Sequence, residues 1–129
     1  MKKVAAALSA SALLLAACGG GENEEMSTEE LQDHIEEEGF DDGVHYVDVR
    51  EEHEFADMHI DGFDNVPMDD MMGDPESYAS VDDQIVIICQ TDNRSQEVAD
   101  SLIEQGYDPD HLTVVQGGIS DYAGDTAQQ

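Results

Sequence analysis

Residues 84 to 89, Gln-Ile-Val-Ile-Ile-Cys, put four apolar side chains in succession and end on a thiol. A strand with one wet face alternates apolar and polar residues. An unbroken apolar run needs cover on both faces, as in the middle of a parallel sheet. Such a sheet needs helices between its strands, and the rest of the chain supplies them. STEELQDHIEEEG, residues 27 to 39, reads as a helix with a Ser27/Glu30 capping box, an apolar pair at Leu31 and Ile35, and a stop at Gly39. VHYVDV (44 to 49) reads as a strand, EEHEFADMHI (51 to 60) as a short helix, and NVPM (65 to 68) as a short strand closed by Pro67. DDMMGDPESYAS (69 to 80) reads as loop or weak helix. SQEVADSLIEQG (95 to 106) is the strongest helix, with Val98, Leu102 and Ile103 inward and Gly106 at its end. LTVV (112 to 115) is a further strand, and GGISDYAG (117 to 124) ends in a short helix. Strands alternating with helices over one hundred residues predict a single α/β domain with a mostly parallel sheet.

The first 26 residues stand apart from that domain. Lys2 and Lys3 precede an apolar stretch, residues 4 to 16, too short for a permanent bilayer span. Leu15-Ala16-Ala17-Cys18 resembles a bacterial lipobox, so residues 1 to 17 are expected to be a lipoprotein signal peptide and Cys18 the lipidated residue. Residues 18 to 26 are expected to be a flexible tether, and the protein to sit outside the cytoplasm, held to the membrane by its lipid. With Cys18 lipidated, Cys89 is the sole free thiol and has no partner for an intrachain disulfide.

The chain carries 32 acidic residues against 4 basic ones. Removing the leader takes Lys2 and Lys3 with it, leaving Arg50 and Arg94 as the whole basic complement. Such a surface excludes nucleic acid as a partner, since that binding rests on basic patches. It suits a salty exterior, and low salt is expected to cost stability by unscreening self-repulsion. Individual acidic runs such as Glu36-Glu37-Glu38 read as solvated faces. The five histidines have no strong metal spacing, and neither a metal nor a cofactor is expected.

Against this depletion, Cys89 and Arg94 bound one short loop, Gln90 to Asn93, between a strand and a helix. Ligands bind at that edge of an open α/β sheet. Inward amides and the helix N-terminus both favour thiolate over thiol, which is the nucleophilic form. Cys89 taken alone reads equally as a structural cysteine packed at a strand end. Arg94 suits either a brace to a carboxylate or contact with a substrate. Arg50 suits an ion pair with Glu54, and Asp48 and His59 suit structural support, with a proton-transfer role open for His59.

The segment Cys89-Gln90-Thr91-Asp92-Asn93-Arg94-Ser95 resembles the active-site loop of the rhodaneses, a sulfurtransferase family. Val47-Asp48-Val49-Arg50, Glu54-Phe55 and His59-Ile60-Asp61-Gly62 are similar to the family's first signature. Gln116-Gly117-Gly118-Ile119 with Tyr122 is similar to its second. The resemblance covers about residues 27 to 127. It implies about five strands in a mostly parallel sheet, with helices on both faces. It also implies that Cys89 takes a sulfane sulfur from a small donor, thiosulfate or a polysulfide or persulfide, as Cys-S-S⁻. A thiol or cyanide-like acceptor then removes it. In the family the loop amides cradle the persulfide, so Gln90, Thr91, Asp92, Asn93, Arg94 and Ser95 are the expected binding loop. Related phosphatases and arsenate reductases have a loop one residue longer, suited to a tetrahedral oxyanion rather than one sulfur. Two positions depart from the family pattern. Asp92 stands where a glycine is common, and its charge is expected to repel anionic donors. Gln90 stands where a basic residue is common. A catalytically silent module that binds a partner or senses persulfide is the alternative, and a monomer is expected in either case.

Overall fold

The computed structural model describes residues 21–129. The signal peptide and Cys18 lie outside the described residues.

Five strands form one sheet: β1 (Glu24–Ser27), β2 (Val44–Asp48), β3 (Asp64–Asn65), β4 (Gln84–Ile88) and β5 (Leu112–Gln116). Their order is β1-β5-β4-β2-β3, and every pairing is parallel. The helices are α1 (Thr28–Glu38), α2 (Glu52–Asp57), α3 (Met68–Gly73), α4 (Asn93–Glu104) and α5 (Gly118–Asp121). Short 3-10 turns at Pro75–Ser77 and Pro109–His111 complete the chain.

The apolar run is the centre of the sheet. Ile85, Val86, Ile87 and Ile88 are all buried, with β2 on one side and β5 on the other. Alternation sends them to two cores. Ile85 and Ile87 pack with Val47, Leu112 and Val114 beneath Met71 of α3 and Val98, Ala99 and Leu102 of α4. Val86 and Ile88 pack with Tyr46 and Val115 beneath Leu31 of α1 and Ile119 of α5. This second core is closed at one side by three edge-to-face rings, Phe40, Tyr46 and Phe63.

The local sequence signals act as expected at α1. Ser27 Oγ accepts from the Glu30 amide and the Glu30 carboxylate accepts from the Ser27 amide, while Gly39 ends the helix at φ 80°. Two readings are corrected. Residues 24 to 26, taken as tether, belong to β1, which pairs with β5 from Glu24↔Thr113 to Ser27↔Gln116. A strand paired on one side needs no apolar alternation, so its glutamates hide it. NVPM (65 to 68), read as a strand, contributes only Asn65 to β3, since Pro67 caps α3 and Met68 opens it; α3 is the weak helix read in residues 69 to 80, and it buries Met71 completely.

The charge excess gives a stability prediction. The chemical-denaturation midpoint in urea is expected to rise steadily as NaCl is added, because screening relieves repulsion among the acidic residues. A midpoint that does not move with salt contradicts that account.

Candidate functional site around Cys89

All five strands run in the same direction, so the residues that follow β2 and β4 emerge at the same edge. Asp48, Arg50 and Cys89 meet there. Cys89 follows Ile88 directly, and the loop passes into α4 at Asn93.

Cys89 continues the Ile85–Ile87 alternation and is 1% exposed. Its Sγ donates to Ser95 Oγ at 3.2 Å, and that hydroxyl donates to the Asp92 carbonyl at 3.0 Å. The thiol therefore sits under the loop, against the first turn of α4, rather than at the open surface. Thr91, Asp92 and Asn93 form the exposed outer arc.

The loop is oriented from outside by α5. The Ile119 amide donates to the Cys89 carbonyl at 2.9 Å, and the Ser120 amide donates to the Gln90 carbonyl at 3.0 Å. Gly118 makes this approach possible. It has φ 59°, and a Cβ there would lie 2.4 Å from the Cys89 and Thr91 carbonyl oxygens. With the Cys89 and Gln90 carbonyls held by α5, the loop keeps its own N–H groups: among the described residues, no amide from Gln90 to Ser95 donates to a protein acceptor. Those unsatisfied donors and the start of a twelve-residue helix both supply partial positive charge beside the sulfur.

Asp92 has a structural partner that its charge did not announce. Its Oδ1 accepts from the Gly117 amide at 2.7 Å, so the carboxylate latches the loop to the β5–α5 turn. Its backbone, at φ −124° and ψ −24°, needs no glycine. Gln90 acts in a similar way. Its Oε1 accepts from Arg50 Nη1 at 3.3 Å and its Nε2 donates to Ser120 Oγ at 3.0 Å.

Arg50 is paired differently from the sequence expectation, whereas Arg94 makes the carboxylate brace that was one of its two readings. Arg50 does not pair with Glu54. It is buried, and its Nε and Nη2 hold the Asp48 carboxylate, with the Nη2–Oδ2 contact at 2.9 Å. Asp48 also accepts from the Arg50 amide, and Arg50 donates to the Met58 carbonyl. Asn65 ties the Asp48 and Arg50 carbonyls together. A short side chain two residues away reaches the guanidinium without spanning the cleft, which explains the choice of partner.

Glu54 instead takes Arg94 in a two-pronged contact, Nη1–Oε1 at 2.7 Å and Nη2–Oε2 at 3.1 Å. Arg94 braces the loop against α2. The hydrogen bond from Arg94, helped by the Glu51 amide and opposed by partial burial, lowers the Glu54 carboxyl from 4.5 to about 2. The Glu54 contact likewise raises Arg94, with a smaller contribution from the charge of Cys89. A depressed carboxylate contributes stability that is complete above its unfolded value and is lost as pH falls through its folded value. The stability difference between wild type and Glu54→Gln is therefore expected to be constant above pH 4.5 and to shrink toward pH 2. Urea melts at stepped pH check this. A difference that vanishes already at pH 5 contradicts it.

His59 is buried, stacks on Phe55 at 3.9 Å, and bonds through Nδ1 to the Phe55 carbonyl. Its backbone pairs with Ala127 in both directions, pinning the C-terminal segment. These are structural contacts. A separate exposed group, His34 with Glu38 and Asp41, brings three possible metal ligands together. Its two carboxylates face opposite ring nitrogens, at 3.9 and 3.0 Å, so the ring lies between them. Among the described residues, no helix is long and apolar enough to cross a membrane.

Comparison with known proteins agrees with this geometry. Residues 27–125 match the model of the rhodanese-like domain. The chain belongs to the rhodanese-like domain family. It is 33% identical over 107 residues to "Putative sulfurtransferase YtwF" of Bacillus subtilis (strain 168), covering 81% of this chain and 95% of that one. A rhodanese-like domain protein from Staphylococcus aureus superposes with a TM-score of 0.68 at 25% identity, over 82% of this chain and 98% of that one. The rhodanese-like domain of Anabaena sp. Alr3790 gives a TM-score of 0.71 at 20% identity, over 83% and 80% of the two chains. The latch by Asp92, the bridge by Gln90 and the Arg94–Glu54 pair were missed in the sequence. Each joins residues at least 25 positions apart, and no local pattern marks them.

Proposed function

We propose that this rhodanese-like chain is a sulfurtransferase in which Cys89 carries the transferred sulfur. The observation that carries the reading is the loop's polarity: α5 binds the Cys89 and Gln90 carbonyls, while the amides of Gln90 to Ser95 meet no protein acceptor among the described residues. The thiolate of Cys89 attacks the sulfane sulfur of a donor. The donor's S–S bond breaks, its electron pair leaves with the remaining fragment, and a Cys89 persulfide forms. A thiophilic acceptor, a thiol or cyanide-like, then attacks the outer sulfur and regenerates the thiolate. The free amides are suited to hold the charge on that outer sulfur, and Ser95 Oγ is placed to stabilise the inner one. Intact-protein mass spectrometry after incubation with a sulfane donor tests this: one added sulfur atom on wild type and none on Cys89→Ser. An unmodified wild-type chain overturns it.

The burial of Cys89 favours a second reading, a silent module that binds a partner or senses persulfide. The same experiment separates the two, since a silent module gains no sulfur.

We further propose that lipid on Cys18 anchors the domain outside the cytoplasm. β1 and β4 run parallel, so Glu24 and Cys89 lie at opposite edges of the sheet. Cys18→Ser is expected to move the protein from the membrane fraction to the soluble one. Retention in the membrane fraction overturns the anchor.

A further inference from the structure

After Tyr122 the chain reads Ala-Gly-Asp-Thr-Ala-Gln-Gln, with no apolar side chain larger than alanine. Such a segment cannot be held down by burial. Its backbone holds it instead. The Ala127 amide donates to the His59 carbonyl at 2.7 Å, and the His59 amide donates to the Ala127 carbonyl at 3.0 Å. The Gln129 amide donates to the Ala56 carbonyl at 3.0 Å. Ala127 and Gln129 lie beyond the part of the chain, residues 27–125, that matches the rhodanese-like domain.

These bonds land on α2 and the residues that follow it. α2 has six residues, too few for a helix to be stable alone, and Phe55 is its one buried side chain. The carbonyls of its last turn need partners. His59 Nδ1 bonds that of Phe55, and the Gln129 amide bonds that of Ala56. The segment therefore caps the C-terminal end of α2. From the middle of α2, Glu54 holds both prongs of Arg94. The next residue is Ser95, whose hydroxyl accepts from Cys89 Sγ. The same stretch of chain grips the loop upstream, where the Ile119 and Ser120 amides donate to the Cys89 and Gln90 carbonyls. Residues 118–129 thus reach the loop twice, directly through α5 and indirectly through α2, Glu54 and Arg94.

Resting on the sulfurtransferase reading, we propose that residues 126–129 are a positioning strap for Cys89: they cap α2 and fix Glu54, which fixes Arg94 and with it the start of α4. Without the strap, α2 frays from its C-terminal end and the brace on the loop slackens, while the two cores stay packed. The strap makes no hydrogen bond to the loop itself, so it acts on the rate through the brace.

The test times loading of Cys89 by intact mass, with the hydropersulfide of 2-mercaptoethanol as donor. Four proteins are compared: the wild-type chain, a chain stopped after Asp125, Glu54→Ala, and the two changes combined. Stopping after Asp125 is expected to slow loading about tenfold, as a displacement well under about 1 Å would, and to leave a cooperative urea transition. Glu54→Ala is expected to slow loading by a similar factor. The combined protein is expected to be within about twofold of the slower single variant, because both changes cut one path. Ala127→Pro removes the amide that bonds the His59 carbonyl and is expected to reproduce the truncation. Gln128 is exposed and outside these bonds, so Gln128→Ala is expected to load at the wild-type rate. A truncated chain that loads at the wild-type rate overturns the strap and leaves the sulfurtransferase reading standing. So does a combined protein in which the two single effects multiply, since the strap then acts by another route. A truncated chain without a cooperative transition also overturns it, because the segment is then part of the folding unit. A wild-type chain that gains no sulfur overturns the sulfurtransferase reading and the strap with it.

Discussion

Replacing Arg50 by alanine is expected to destabilise the protein by about 3–5 kcal/mol, because it strands the Asp48 carboxylate in the interior without a counter-charge. Asp48 is 0% exposed and Arg50 2%. The loss extends beyond the pair. Arg50 also donates to the Met58 carbonyl and to Gln90, so its removal leaves an acceptor unsatisfied and loosens the first residue of the reactive loop. Asp48→Ala is expected to cost a similar amount from the opposite sign. The double variant, Asp48→Ala with Arg50→Ala, is expected to lose distinctly less than the sum, since neither charge is then buried alone. Urea denaturation of the four proteins measures this directly. Single losses below about 1 kcal/mol contradict the buried-pair assignment.

The second large effect is expected at Gly118. An alanine there adopts a left-handed backbone at φ 59°, which costs about 1–3 kcal/mol. Its Cβ also collides with the carbonyl oxygens of Cys89 and Thr91, each 2.4 Å away. Those atoms are backbone and cannot rotate aside, so the loop must move. Displacing the sulfur and its amides by about 1 Å is expected to slow Cys89 loading about a hundredfold. Gly73→Ala is the control, since nothing lies within 4 Å of its added methyl and its φ is not positive. It is expected to leave both stability and loading within error. A Gly118→Ala protein that loads sulfur at the wild-type rate contradicts the view that α5 sets the loop.

The features that were legible in the sequence are those written locally. The run from Ile85 to Ile88 revealed a doubly covered strand because burial on both faces removes every polar residue. The cap of α1 was legible because its two hydrogen bonds join residues three apart. The loop from Cys89 to Ser95 stood out because the chain has almost no other basic groups. β1 was hidden because an edge strand bonded only to β5 tolerates glutamates. α3 was only weakly legible because its burial falls on Met71, with Met68 and Met72 partly covered, within a segment rich in aspartate. The partner of Arg50 was misassigned because sequence spacing does not say which of two carboxylates a guanidinium meets. Asp48, two residues from Arg50, won that contest, which left Glu54 to Arg94 across 40 positions. The Asp92 latch was missed for the same reason. Its partner is a backbone N–H 25 residues later, and no side-chain chemistry advertises it.

The central claim is that α5 holds the loop by the Cys89 and Gln90 carbonyls so that its amides serve Cys89 as a sulfur carrier. The most direct measurement is the intact mass of the mature domain, wild type and Cys89→Ser, after brief exposure to the hydropersulfide of 2-mercaptoethanol and removal of excess donor. The account predicts one added sulfur atom on the wild-type chain, released by a small thiol, and no addition to Cys89→Ser. An unchanged wild-type mass, or equal addition to both proteins, contradicts it.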